Sequence, residues 1–298
     1  MIVNYPRMRR RVKGWPDDLD TALEFSSANP FSISAPKNWD GKLEYTNGSG
    51  WKMWDGSAIA SGEIENNHYI YLRGTGNSKM TGTTSSSVKW SIIGTNIACN
   101  GDIDLLLDYS TVKNGNRPAM ASYCYSNMFQ GCTSLTATPS LPATTLANNC
   151  YNSMFQGCTS LTAAPSLPAT TLNTNCYYYM FYGCTSLTTA PSLPATTLAN
   201  NCYYSMFQGC TSLTTVPSLP ATTLANNCYN SMFYLCTKIK LSTTASGTYT
   251  KSYRIPQNGT GTTASGALVY MFGNTGGTFN GAPKINTTYY LDESNTIV

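Results

Sequence analysis

Cysteine is the residue best equipped for chemistry in this 298-residue chain, and there are eleven of them. Ten form C-x7-C pairs: Cys124/Cys132, Cys150/Cys158, Cys176/Cys184, Cys202/Cys210 and Cys228/Cys236. A structural zinc site asks for four ligands at short spacing, with a second cysteine pair or histidines close by. Isolated pairs and a lone His68 do not supply that set, so no metal and no cofactor is expected. A thiolate nucleophile needs a base or a cation beside it to lower its pKa. From Pro118 to Thr237 there is no Asp, Glu, Lys, Arg or His. Disulfides stay open, since spacing alone does not tell whether two Cα atoms come within about 7 Å. The other reading makes the thiols small apolar core residues stacked in two ladders, with Cys99 joining a ladder or a cap.

Other candidates for catalysis are weak. Asp102, Asp104 and Asp108 are close in sequence, but on a helical cap they would face solvent. The stretch GTGNSK at 74–79 lacks the spacing of a phosphate-binding loop and follows a β hairpin. General acid–base work needs titratable groups held together, so no catalytic residue and no enzyme is expected. The amino-terminal stretch is basic, with Arg7, Arg9, Arg10, Arg11 and Lys13 flanked by Tyr5 and Trp15. Such an arm is either a solvated tail or a docking peptide for an acidic partner, Trp15 serving as an anchor. The remaining chain has no basic face for nucleic acid. MIVNYPRMRRRVKGWPDDLD does not read as a secretory signal, and no run of 18 apolar residues would cross a membrane.

The elements that must carry these residues come from repetition. Charged residues are 11% of the chain, against roughly 25% in ordinary globular proteins. Units begin at Cys124, Cys150, Cys176 and Cys202, and a fifth, at Cys228, breaks down after Cys236. Each full unit reads C-Y-x-x-M-F-x-G-C-T-S-L-T-x-x-P-S-L-P-A-T-T-L, and a fainter echo begins at Tyr270. One unit has too few apolar residues to close a core, so the copies are expected to stack. In the second unit the inward rows would be Cys150, Met154, Phe155, Cys158, Leu161, Leu167 and Leu172. The spacing of Cys150, Met154 and Phe155 suits a short helical turn, and SLTAAP suits a strand ended by proline.

The pattern M-F-x-G-C-T-S-L-T-x-x-P-x-L-P-A-T-T-L resembles the BspA-like leucine-rich repeat of gut-bacterial surface proteins and some of their phages, over roughly residues 97–290. The resemblance implies a right-handed solenoid and a role in attachment. Without a signal at the front, it favours a phage virion protein.

The expected fold is therefore mixed β/α: an N-terminal β-sandwich-like domain followed by a short leucine-rich-repeat solenoid with 26-residue coils. Residues 1–24 form the arm and 25–95 the β domain, where short β-like runs alternate with turn signals. The solenoid covers 96–298: an irregular first coil (96–123), regular repeats (124–236), an inserted loop (237–268) and a cap (269–298).

Three positions of the repeat vary and would point outward. They place Tyr178, Tyr179, Tyr182, Tyr204 and Tyr234 on one exposed patch. Phenols give rigid contact area with a polar tip, which suits a glycan or a protein. The expected function is non-enzymatic attachment from a virion surface, as a fibre or decoration protein. The arm and β domain would hold other virion proteins, and the repeats would meet a host surface glycan or protein. Homo-oligomers are compatible with this; nucleic acid and membrane insertion are not expected. The rivals are a purely structural virion component and a bacterial surface adhesin exported by an unrecognised route.

Overall fold

A computed structural model describes residues 13–36, 39–80 and 89–298. Among the described residues, nine strands lie ahead of the repeats: β1 (Leu23–Ser27), β2 (Ser32–Ser34), β3 (Leu43–Thr46), β4 (Lys52–Trp54), β5 (Ile59–Ala60), β6 (Gly62–Ile64), β7 (Asn67–Gly74), β8 (Ser91–Ile93) and β9 (Ile97–Asn100). One sheet runs β4–β3–β7–β1–β9, with β6 also paired to β7; a smaller one runs β5–β2–β8. Trp39, Trp54 and Trp90 meet with ring centroids 5.3–6.2 Å apart. The front sheet does not stop at residue 95. Its strand β9 pairs in parallel with β10 (Leu135–Ala137) of the first repeat. A single apolar core continues from Leu23 through the repeats to Leu291.

The expected mixed β/α class, with a helical turn and a strand in every coil, is corrected. Among the described residues there is one α-helix, α1 (Leu105–Lys113), and it precedes the repeats. The stretch Cys150–Gln156 is a series of overlapping turns. Asn149, Tyr151, Ser153 and Gly157 are left-handed, with φ between 52° and 72°. This alternation splits the hydrogen bonds into two sets. The amides of Cys150, Asn152, Met154, Gln156 and Cys158 close four-residue turns at 3.1–3.3 Å. Those of Asn149, Ser153, Phe155 and Gly157 reach the next unit, donating to Thr174, Tyr178, Met180 and Tyr182 carbonyls at 2.7–3.0 Å. A helix would keep all these amides for itself; here every second one bonds to a neighbouring copy, Tyr151 donating back to the Cys124 carbonyl at 3.2 Å and the others forward. The predicted strand shrinks for a different reason. Prolines 139, 165, 191 and 217 follow it within a few residues and cannot extend a ladder. Between regular repeats only isolated parallel bridges remain, such as Ala163 with Thr189 and Thr145 with Thr171.

Stacking of identical units places identical side chains on top of one another. Phe129, Phe155, Phe181, Phe207, Phe233 and Phe272 form a ladder with centroids 5.2–5.7 Å apart. A second ladder, missed by the expected list of inward rows, is made of Tyr125, Tyr151, Tyr177, Tyr203 and Tyr229, 5.6–5.8 Å apart. Cys150, Met154, Phe155, Cys158 and Leu161 are fully buried, whereas Leu172 is only half-buried. The same geometry explains the absence of charge. A charged residue repeated in each unit would sit about 5.7 Å from its own copy, costing about 3 kcal/mol per contact at an effective dielectric of 20. Neutral amides stack favourably instead: Asn175 donates to Asn149 at 2.9 Å and Asn201 to Asn175 at 3.0 Å.

Both ends are closed by β structure. Phe25 of β1 meets Phe129 at 6.2 Å and continues the ladder into the front sheet. At the other end, β11 (Thr215–Val216) pairs with the terminal β15 (Thr296–Ile297). A three-stranded sheet runs β12 (Leu241–Ser242), β14 (Thr288–Asp292), β13 (Tyr249–Arg254). The stretch 237–268 is thus not a loop: it carries β12 and β13. The last stacked turn crosses the expected 268/269 boundary. Tyr229 donates to Ala267, Ser231 to Val269 and Phe233 to Met271, at 2.8–3.0 Å.

Candidate functional site

All eleven cysteines are buried and free. One row is hydrogen-bonded as well as packed: the thiols of Cys158, Cys184, Cys210 and Cys236 donate to the carbonyls of Phe129, Phe155, Phe181 and Phe207 at 3.0–3.1 Å. Burial pushes Cys150 up to about 11 and Cys132, Cys176, Cys184 and Cys228 up to about 12. Thiols so far from ionising are poor nucleophiles. Iodoacetamide at pH 8 should leave these cysteines unmodified in the native protein and alkylate them in urea, as read by intact mass; rapid native labelling would contradict the packing. Among the described residues, no group of three or more His, Cys, Asp or Glu is placed to hold a metal.

The acidic residues divide, Asp102 and Asp104 meeting at Arg117 while Asp108 binds a different loop. Asp108 accepts from the Gly76 amide at 2.9 Å, and from Ser110 and Thr111, so within GTGNSK the Gly76 donor is taken by a carboxylate. Asp104 corrects an expectation: it is 1% exposed rather than facing solvent. It accepts from Tyr125 Oη at 3.1 Å at the front of the tyrosine ladder, and it shares Arg117 with Asp102. Burial, with the Asp102 charge added, raises its pKa to about 6.

Arg7, Arg9, Arg10 and Arg11 lie outside the described residues. Lys13 is exposed, but Trp15 is half-buried against Tyr71, ring centroids 5.8 Å apart. The arm therefore ends earlier than residue 24. Asp18 pairs with Arg73 at 2.5 Å and accepts from Trp51 at 2.8 Å, which fastens this stretch to the front domain. Trp15 is packed on its own chain because Tyr71 and Tyr69 of β7 offer it an apolar bed.

The outward tyrosines are brought together, in two groups. Tyr178 stacks on Tyr204 at 4.9 Å, while Tyr179 makes edge contacts with Tyr178 (4.3 Å), Tyr182 (5.3 Å) and Tyr204 (5.6 Å). All four are half-buried, so each keeps part of its surface open to solvent. Tyr234 stands apart, 6.4 Å from Tyr270, with its hydroxyl accepting from Asn274 at 2.9 Å. Not every varied position faces out: Ser126, Ser153 and Ser205 are buried. Burial pushes the Tyr178 and Tyr204 phenols up, so the surface stays neutral.

The sequence reading missed three residues around Tyr234: Leu235 and Val269, each 40% exposed, and Tyr270, 63% exposed. A signal for the first was present. Gly131, Gly157, Gly183 and Gly209 hold one left-handed position, φ 69–75°, and the fifth unit puts Leu235 there at φ 64°. A leucine in that conformation costs about 1–2 kcal/mol. Replacing Leu235→Gly relieves that strain but gives up a partly buried side chain, so stability in urea titration should stay within about 1 kcal/mol of wild type. A larger loss would mean that Leu235 is packed rather than displayed.

No family model, no curated protein and no solved structure matches this chain.

Proposed function

We propose that this chain is a non-enzymatic attachment protein that offers a neutral tyrosine edge to a glycan or protein on a host surface. The observation that carries the reading is the cluster of Tyr178, Tyr179, Tyr182 and Tyr204, four half-open rings held on adjacent stacked turns. Such rings lose little entropy on binding and offer both an apolar face and a hydroxyl. An exposed aromatic patch on an otherwise polar surface marks an interface. The inert thiols and the neutral repeats supply contact and no evident chemistry.

The resemblance of the repeats to BspA-like surface proteins and their phage-borne counterparts supports a place on a virion, with the front domain and the basic stretch docked on other virion proteins. Among the described residues, no helix is long and apolar enough to cross a membrane. Mass spectrometry of purified virions against washed host cells tests the location: enrichment in particles supports it, and confinement to the cell surface favours a bacterial adhesin. Incubation of the purified chain with host envelopes and with virion components tests the role. Binding to envelopes supports attachment; binding to virion components alone leaves a structural part of the particle.

A further inference from the structure

Away from the tyrosines, a cleft of about 530 Å³ opens where the front of the chain meets the first two repeats. None of the five candidate tyrosines lines it. Its volume falls in the range of small-molecule sites, roughly 300–1,000 Å³. Here the uncharged repeats border charged side chains, Asp104 and Arg117, and the apolar lining is alanine, proline, Leu146 and Met120.

The polar groups converge. The Asp104 carboxylate, 1% exposed, uses one oxygen for Tyr125 Oη and the other for Arg117 Nη1. A guanidinium donates five hydrogen bonds and the Arg117 side chain is half exposed, so it keeps donors for the cleft while the enclosed Asp104 holds it in place. Thr144, Thr145 and Asn173 complete the wall. The Asn173 carbonyl oxygen is taken by the Thr174 amide at 3.2 Å, which leaves its two N–H donors for a ligand. Thr144 and Thr145 are exposed, and their hydroxyls supply donors and acceptors on the same rim.

We propose that this cleft is a second binding site, for a neutral saccharide unit. A sugar carries adjacent hydroxyls that each donate and accept, and C–H faces that rest on short apolar side chains. The cleft offers mixed acceptors and donors beside an apolar lining. Arg117 is already paired with Asp102 and Asp104, which removes the bare positive charge that a phosphate or carboxylate ligand would need. A peptide would ask for a deep aromatic or aliphatic anchor pocket, and the lining here has no aromatic residue and a single leucine among alanine, proline, methionine and the polar Asp104, Arg117, Thr144, Thr145 and Asn173. The site is made of other residues than the tyrosine edge and stands whether or not that edge binds.

Saturation-transfer NMR with methyl glycosides of neutral hexoses and N-acetylhexosamines tests it. At least one should bind the wild-type chain in the millimolar range. Thr144→Trp fills the cleft from an exposed position, and Arg117→Gln removes the guanidinium; each should weaken that glycoside at least tenfold. The double variant Tyr178→Ser, Tyr204→Ser should bind it as wild type does. Near-UV circular dichroism confirms that the variants keep their packing. The proposal is overturned if no glycoside binds, if binding survives both cleft changes, or if it is lost in the tyrosine variant instead.

Discussion

Phe181→Ala should cost about 3–5 kcal/mol, a large part of the 5–15 kcal/mol that holds an ordinary domain. Phe181 is fully buried, with Phe155 and Phe207 stacked on its two faces at 5.7 Å. Neither neighbour can collapse into the gap, because each is fixed by its own partner in the ladder and by the amide that ties one unit to the next. The cavity term therefore applies in full. Phe181→Leu should cost less, and Thr170→Ala, on the exposed rim, should be within about 0.5 kcal/mol of wild type. All five tryptophans precede residue 91, so tryptophan fluorescence follows the front domain and, through Trp90, whose amide donates to the Met128 carbonyl at 3.1 Å, its seam with the first repeat. The core is continuous from Phe25 into the ladder. Fluorescence and far-UV circular dichroism should thus unfold together in urea, and Phe181→Ala should move both transitions equally. A fluorescence midpoint unmoved by Phe181→Ala would mean that front and repeats fold separately.

Asp104→Asn should stabilise the protein at neutral pH. The buried carboxyl titrates at about 6, raised from 3.8. A raised carboxyl pKa favours folding while the group is protonated in both states, below about pH 3.8. That advantage is lost as pH rises through 6, where the folded protein must ionise a buried acid. The shift corresponds to about 3 kcal/mol at pH 7, offset in part by the lost Arg117 contact. Asn keeps an oxygen for Tyr125. Between pH 4.5 and 7.5 wild-type stability should fall by about 2 kcal/mol more than that of the variant. Asp108 and Asp292, held near 2 by hydrogen bonds led by Ser110 and Ser294, act in the opposite sense only below about pH 4. Parallel pH profiles for wild type and variant would show that Asp104 is not buried as an acid.

Much of the interior was legible because repetition exposes it. The 26-residue period, the sulfur and phenylalanine rows and the cluster at Tyr178, Tyr179, Tyr182 and Tyr204 all follow from comparing units. The local backbone was not. Cys150, Met154 and Phe155 have helical spacing, but nothing in the residue types reveals that alternate amides bond to the next copy. Tyr151 and its counterparts look like surface residues, since a phenol usually keeps its tip wet; here the ring is buried by its own stacked copies. Asp104 looked solvated because its partner, Tyr125, is 21 residues away and reaches it only once the ladder forms. The final turn was obscured by an insertion: Phe272 stacks on Phe233 although 39 residues separate them instead of 26. The front domain hid its continuity with the repeats for a similar reason, since β1 and β9 pair across the expected boundary at residue 95.

The account rests on the tyrosine edge being a contact surface held open by the stacked turns. Binding of fluorescently labelled protein to host cell envelopes, compared between wild type and the double variant Tyr178→Ser, Tyr204→Ser, tests this most directly. The expected result is saturable binding that weakens at least tenfold in the variant while its urea midpoint stays near the wild-type value. Equal binding by the two proteins would contradict it.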